Sequence, residues 1–178
     1  MITLPSWALV AILILGSSRA FGAGPVPGSS AAHEAMASCH AAAQEPDDRA
    51  RAALLERSLA LAEALVRRDD QDAAAHFAVF CALGRRLQER PLGWRTLGAI
   101  LRLRRAIDRA LALAPDSAEL LTAKGMMLLE LPRLFGGDVV EGGRLLRRAH
   151  ELDPAFPDAG RARADRIAGA SVSATGRR

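Results

Sequence analysis

Residues 104–125, RRAIDRALALAPDSAELLTAKG, read as the end of one helix, a breaker and the start of the next. Ile107 and Ala110 stand eight and five residues before Pro115. Residues 142–162, GGRLLRRAHELDPAFPDAGRA, repeat the arrangement, with Leu146 and Ala149 eight and five residues before Pro154. A small residue lets two antiparallel helices approach, a larger one fills the groove between them, and proline forbids continuation. Leu83-Gly84 and Lys124-Gly125 put a glycine in mid-helix, where close packing would justify its cost.

The periodicity extends on both sides. A short helix is expected over about 31–43 and a longer one over about 47–68, where Leu54, Leu55, Leu59, Ala62, Leu65 and Val66 recur at spacings of three and four. Asp69-Asp70-Gln71-Asp72 ends that helix and supplies a cap for its successor, about 72–89, which carries Ala73, Phe77, Phe80, Gly84 and Leu87 on one face. Pro91-Leu92-Gly93 is a turn. A fourth helix, about 94–113, has an apolar face of Leu97, Ile100, Leu101, Leu103, Ile107, Ala110 and Leu111. Asp116 and Glu119 have capping-box spacing before a helix over about 117–131, as do Asp138 and Glu141 before one ending near 152. A last, mostly polar helix over about 157–168 would cap the array.

Composition agrees with an all-α fold. Of the 178 residues, 50% are apolar, mainly Ala and Leu, while Tyr is absent and aromatics make up 4%. Such usage favours helices over strands. The length suits one domain with its own core and excludes a disulfide-dense miniprotein or a wholly disordered chain. Formal charge is +4, and Lys124 is the sole lysine. An arginine-rich chain can bind nucleic acid, but most arginines here alternate with acids along helical faces, which reads as a solvated surface.

The spaced alanines and prolines, the Leu-Gly pair and the apolar positions between them resemble the tetratricopeptide repeat family over roughly residues 50–160. The resemblance implies antiparallel helix pairs stacked as a short solenoid of about three pairs plus a capping helix. The period departs from the family's. Pro115 to Pro154 is 39 residues and Asp70 to Pro115 is 45, against 34 for the standard repeat. Residues 131–154, LPRLFGGDVVEGGRLLRRAHELDP, are similar to a segment of tetratricopeptide-like proteins related to the T component of TRAP transporters, in which a Gly-Gly-Asp turn separates two helices. That resemblance implies a periplasmic accessory to a solute-uptake system, docking a solute-binding or transporter protein.

The ends point the same way. Residues 7–15 are nine unbroken apolar residues, too few to span a membrane and the size of a signal-peptide core. Small residues follow, and cleavage is expected within 20–24, so residues 1–23 read as an export signal. No Lys or Arg precedes the run, which leaves an uncleaved anchor as the alternative. No Cys stands after it for lipoprotein anchoring. Residues 24–46 read as linker and short helix, 47–168 as the repeat domain and 169–178 as a disordered tail.

Chemistry-bearing motifs are few. Gly136-Gly137 opens a helix but lacks a phosphate-loop signature, and Asp138 would repel an anion, so the pair reads as a turn. Gly142-Gly143 reads as a close-packing site. His33, Cys39 and His40, and separately His76 and Cys81, show no metal-ligand spacing, so no metal or cofactor is expected. Cys81 borders the Phe77/Gly84 stripe and reads as a core thiol, while pairing with Cys39 is the alternative in an oxidising compartment. No nucleophile motif occurs, and carboxylates fall at caps or opposite arginines, so no catalytic residue is expected. Arg102, Arg105 and Arg109 share a face of the fourth helix, and Arg144, Arg147 and Arg148 crowd the sixth.

The sequence therefore predicts a non-enzymatic, exported helical-repeat adaptor that holds a protein partner on a groove poor in aromatics. It predicts no nucleic acid and no membrane span after signal cleavage, and it leaves self-association open. A cytosolic scaffold with a misread N-terminus is the remaining alternative.

Overall fold

The computed structural model describes residues 25–89, 93 and 96–154. The expected signal segment, the last helix near 157–168 and the C-terminal tail lie outside the described residues. Within them the chain is all-α. Six α-helices follow in order: α1 (Ser30–Gln44), α2 (Asp48–Arg68), α3 (Ala73–Gln88), α4 (Leu97–Leu113), α5 (Ala118–Glu130) and α6 (Val139–Leu152). Among the described residues there is no strand.

Capping chemistry sets most helix starts. Ser29, Asp47, Asp72, Ser117 and Asp138 each accept a backbone N–H of the first turn they precede, which satisfies donors a helix leaves unpaired. Two expected caps differ in detail. Ser117 rather than Asp116 caps α5, so that helix starts one residue later than the acidic pair suggests. Asp138 does cap α6. Glu141, however, turns to Arg144, which donates to it at 2.7 and 2.6 Å, and so leaves the box half-made.

The helices pack as pairs, α1 with α2, α3 with α4, and α5 with α6, and α3 also meets α1 and α2. α1, which the sequence grouped with a linker, is thus part of the stack. Ser58 of α2 is fully buried and donates from Oγ to the Ala35 carbonyl of α1 at 2.7 Å. One core runs through all six helices, from Ala35 and Met36 through Phe77 and Ile107 to Leu121 and Leu145. Ile107 and Ala110 are both 0% exposed, as the proline-spaced pattern requires. Leu101, expected on the same apolar face, is instead 44% exposed.

The mid-helix glycines divide. A Cβ on Gly125 would lie 2.9 Å from Leu146 Cγ and 3.0 Å from the Gly142 carbonyl oxygen. One on Gly142 would lie 2.9 Å from the Gly125 carbonyl oxygen. Here α5 and α6 cross backbone to backbone, as small residues permit. Gly84 differs from the expectation, because its nearest neighbour is Leu103 at an ordinary 3.5 Å. Gly143 also has room.

The α5–α6 connection is a 3-10 turn, Arg133–Phe135, ended by Gly136 at φ 85°. A Cβ there would strike the Arg104 guanidinium, and one on Gly137 would strike the Leu131 carbonyl. The Gly-Gly pair is needed by the path of the chain, as the sequence reading expected.

Candidate functional site

The first helices of the three pairs line one groove. Met36 and His40 come from α1, Phe77, Phe80, Cys81, Gly84 and Leu87 from α3, and Met126, Met127 and Leu131 from α5 and its end. Leu103 of α4 contributes to the lining. The cavity volume is about 540 Å³, within the usual range for ligand pockets. Three of the chain's four methionines lie here, so the surface is both apolar and deformable. The Phe77 and Phe80 rings stack at 5.9 Å between centroids and 16° between planes. His40, Arg85, Gln88 and Glu130 are the polar groups of the lining.

Helical spacing explains why these side chains converge. Phe77, Phe80, Gly84 and Leu87 recur every three or four residues, so they form one stripe along α3. The sequence identified that stripe and assigned it to the core. Phe77 is indeed 6% exposed, but Phe80, Gly84 and Leu87 are only partly buried, because α5 stands off α3 and leaves the groove open. The expectation of a groove poor in aromatics is corrected by the same observation. Few aromatics exist in the chain, yet two of them are concentrated on this wall.

The cysteines form a disulfide, Cys39 to Cys81, with Cα atoms 6.3 Å apart. The reading of Cys81 as a free core thiol is therefore corrected, and its alternative holds. The bridge joins α1 to α3, and Cys81 itself lines the groove. The first wall of the site is thus covalently fixed.

His33 and His76 are occupied locally. His33 nitrogens lie 2.9 Å from the Ser29 carbonyl and 3.1 Å from that of Val26. His76 Nε2 lies 3.1 Å from Asp70 Oδ1. Among the described residues no three His, Cys, Asp or Glu side chains gather to hold a metal. Burial pushes the Glu119 carboxyl above its ordinary range, an effect that the charges of His40 and His33 on α1 oppose.

The predicted arginine faces are partly neutralised. Arg102 of α4 pairs with Glu63 of α2, and Arg109 pairs with Asp70 at 2.6 Å. On α6, Arg144 pairs with Glu141, and Arg148 reaches Asp116 at 3.3 Å. Exposed pairs like these contribute little each, but they give most of the α4 and α6 arginines an acidic neighbour.

Fold and groove together define an all-α stack of helix pairs with an apolar cleft along the first helices. No protein family matches the sequence, and no curated protein matches it either.

Proposed function

We propose that this chain is a non-enzymatic, exported adaptor of tetratricopeptide-like build that holds an apolar segment of a protein partner. The groove of about 540 Å³ walled by α1, α3 and α5 carries this reading. Methionine side chains repack around different apolar shapes at little cost, which suits exchangeable binding to a segment rather than one rigid ligand. The short apolar run at residues 7–15 supports export. A disulfide supports it further, because such bridges persist in oxidising compartments.

A second reading makes the protein an accessory component of a TRAP-type solute-uptake system. It draws on the Gly-Gly-Asp segment and on a cavity of a size that also suits a small molecule. One experiment separates the two. A photocrosslinking residue at Met126, in protein expressed with its native N-terminus, should give a discrete protein adduct in the envelope fraction. Introducing Phe80→Lys should abolish it. A partner that is a solute-binding or transport protein would favour the second reading. No adduct, or adducts indifferent to Phe80→Lys, would reject the adaptor reading.

A further inference from the structure

The arginine face of α4 opens onto a second cleft that the apolar groove does not involve. It lies between α2, the start of α3 and α4, with a volume of about 480 Å³. Four arginines line it: Arg67, Arg102, Arg105 and Arg109. The opposing carboxylates are Glu63 and Asp70. Glu63 is taken by Arg102. Asp70 is shared between Arg109 and His76. Two positive charges are therefore unmatched within the cleft. Arg67 and Arg105 are both exposed on its walls, and neither forms an ion pair with a described residue.

We infer that this cleft binds a compact oxyanion of two or more charges, of the phosphate-monoester or pyrophosphate type. Guanidinium forks match such oxygens two at a time, and they keep their charge at any physiological pH. Low-dielectric walls focus the field of clustered like charges into the cleft. Val66, Val79 and Ala106 provide such walls. Glu63 and Asp70 occupy two of the arginines, while Arg67 and Arg105 supply the charge that the anion neutralises. The same chemistry is offered by a free anion and by a phosphate headgroup at a membrane surface. The cleft shares no lining residue with the apolar groove, so binding at one is separable from binding at the other.

The test uses the full chain at fixed ionic strength. Sodium pyrophosphate is titrated calorimetrically, and co-sedimentation is measured with phosphatidylcholine vesicles with or without phosphatidic acid. Arg105→Gln breaks no described ion pair, so it should leave the melting temperature unchanged and weaken binding about tenfold, the worth of one charge-assisted contact. Glu63→Gln removes a competing carboxylate and should strengthen binding. Pyrophosphate binding with these opposed responses supports a soluble anion. Vesicle binding that needs both phosphatidic acid and Arg105 supports the headgroup. Binding to neither probe, or binding indifferent to both variants, overturns the assignment.

Discussion

Ser29 and Asp72 cap two different helices and also bond to each other. Asp72 Oδ1 accepts the Ala75 amide at 2.9 Å and starts α3. Its Oδ2 accepts the Ser29 amide at 3.0 Å and the Ser29 hydroxyl at 2.6 Å. The same hydroxyl accepts the Ala32 amide at 3.2 Å and starts α1. Alongside, the Ala74 amide donates to the Pro27 carbonyl at 2.9 Å, and a Cβ on Gly28 would collide with Asp72 and Ala74. The segment before α1 is thereby latched to the start of α3, 43 residues later in sequence.

This latch gives the first prediction. Asp72→Ala removes a cap and leaves the Ser29 amide and hydroxyl hydrogens without their acceptor, and it should cost about 2–3 kcal/mol in urea unfolding. Asp72→Asn keeps capping ability for α3 but turns one acceptor into a donor, so it should cost about half as much. The pH dependence has a definite sign. Burial raises the Asp72 pKa, but the bonds from Ser29, Ala75 and Ala74 outweigh it and hold the value below the ordinary carboxylate range. A depressed folded pKa adds stability above the unfolded value of about 3.9 and loses it as pH falls through the folded value. The acid limb of stability against pH should therefore flatten in Asp72→Asn. An unchanged acid limb would sink the latch.

The α5–α6 crossing separates two adjacent glycines. Gly142→Ala would gain up to about 1 kcal/mol of helix propensity. Its Cβ would nevertheless press on the Gly125 carbonyl oxygen at 2.9 Å and on Leu129 at 3.1 Å. Overpacking against backbone should win, for a net loss of about 1–2 kcal/mol. Gly143→Ala meets only the Arg147 Nη1 at 3.6 Å, so propensity should prevail and stability rise by about 0.5–1 kcal/mol. Thermal melts of the two variants with the same sign would contradict this crossing geometry.

The contrast also marks what was legible in the sequence. Helix positions followed from spacing and caps, because 3.6-residue periodicity and Asp or Ser before an apolar stripe are local signals. Ala110 and Ala149 gave the pairing, since their burial is set by proline-delimited repeats. Gly84 and Gly125 looked alike in sequence, and only the distance to the neighbouring helix distinguishes them. The groove was half legible. The α3 stripe was visible, but whether a partly apolar face is covered depends on how far α5 stands from α3, which no local pattern encodes. Met36, Met126 and Met127 were missed for that reason. Adjacent methionines on a helix already carrying leucines are an indistinct signal of an open wall.

Stability tests of the loop are equally direct. Gly136 has φ 85°, and its Cβ position is filled by Arg104. Gly136→Ala combines a left-handed residue with that collision. The guanidinium is the far end of a flexible side chain and can swing aside, so the left-handed backbone sets the cost, about 1–2 kcal/mol. Combining it with Arg104→Ala should therefore recover little of that loss. A large recovery in the double-mutant cycle would show that the Arg104 contact, and not the backbone, sets the cost.

The disulfide links stability to the site. It closes a loop spanning 42 residues and joins α1 to α3, and the chain-entropy model assigns such a loop roughly 4 kcal/mol. α1 also holds to α3 through the Ser29–Asp72 latch and to α2 through Ser58. Reduction should therefore lower the melting temperature without unfolding the stack. The groove should respond more sharply. Met36 and His40 flank Cys39 along α1, and Phe77, Phe80 and Gly84 flank Cys81 along α3. Once the bridge opens, only noncovalent contacts set the spacing of those walls. Cys39→Ala with Cys81→Ala should keep the helical circular dichroism spectrum while weakening an apolar fluorescent probe in the groove by several-fold. The oxidised protein should run about 2 Da lighter than the reduced form in intact mass. Equal probe affinity in bridged and unbridged protein of equal helicity would mean that packing alone holds the groove open.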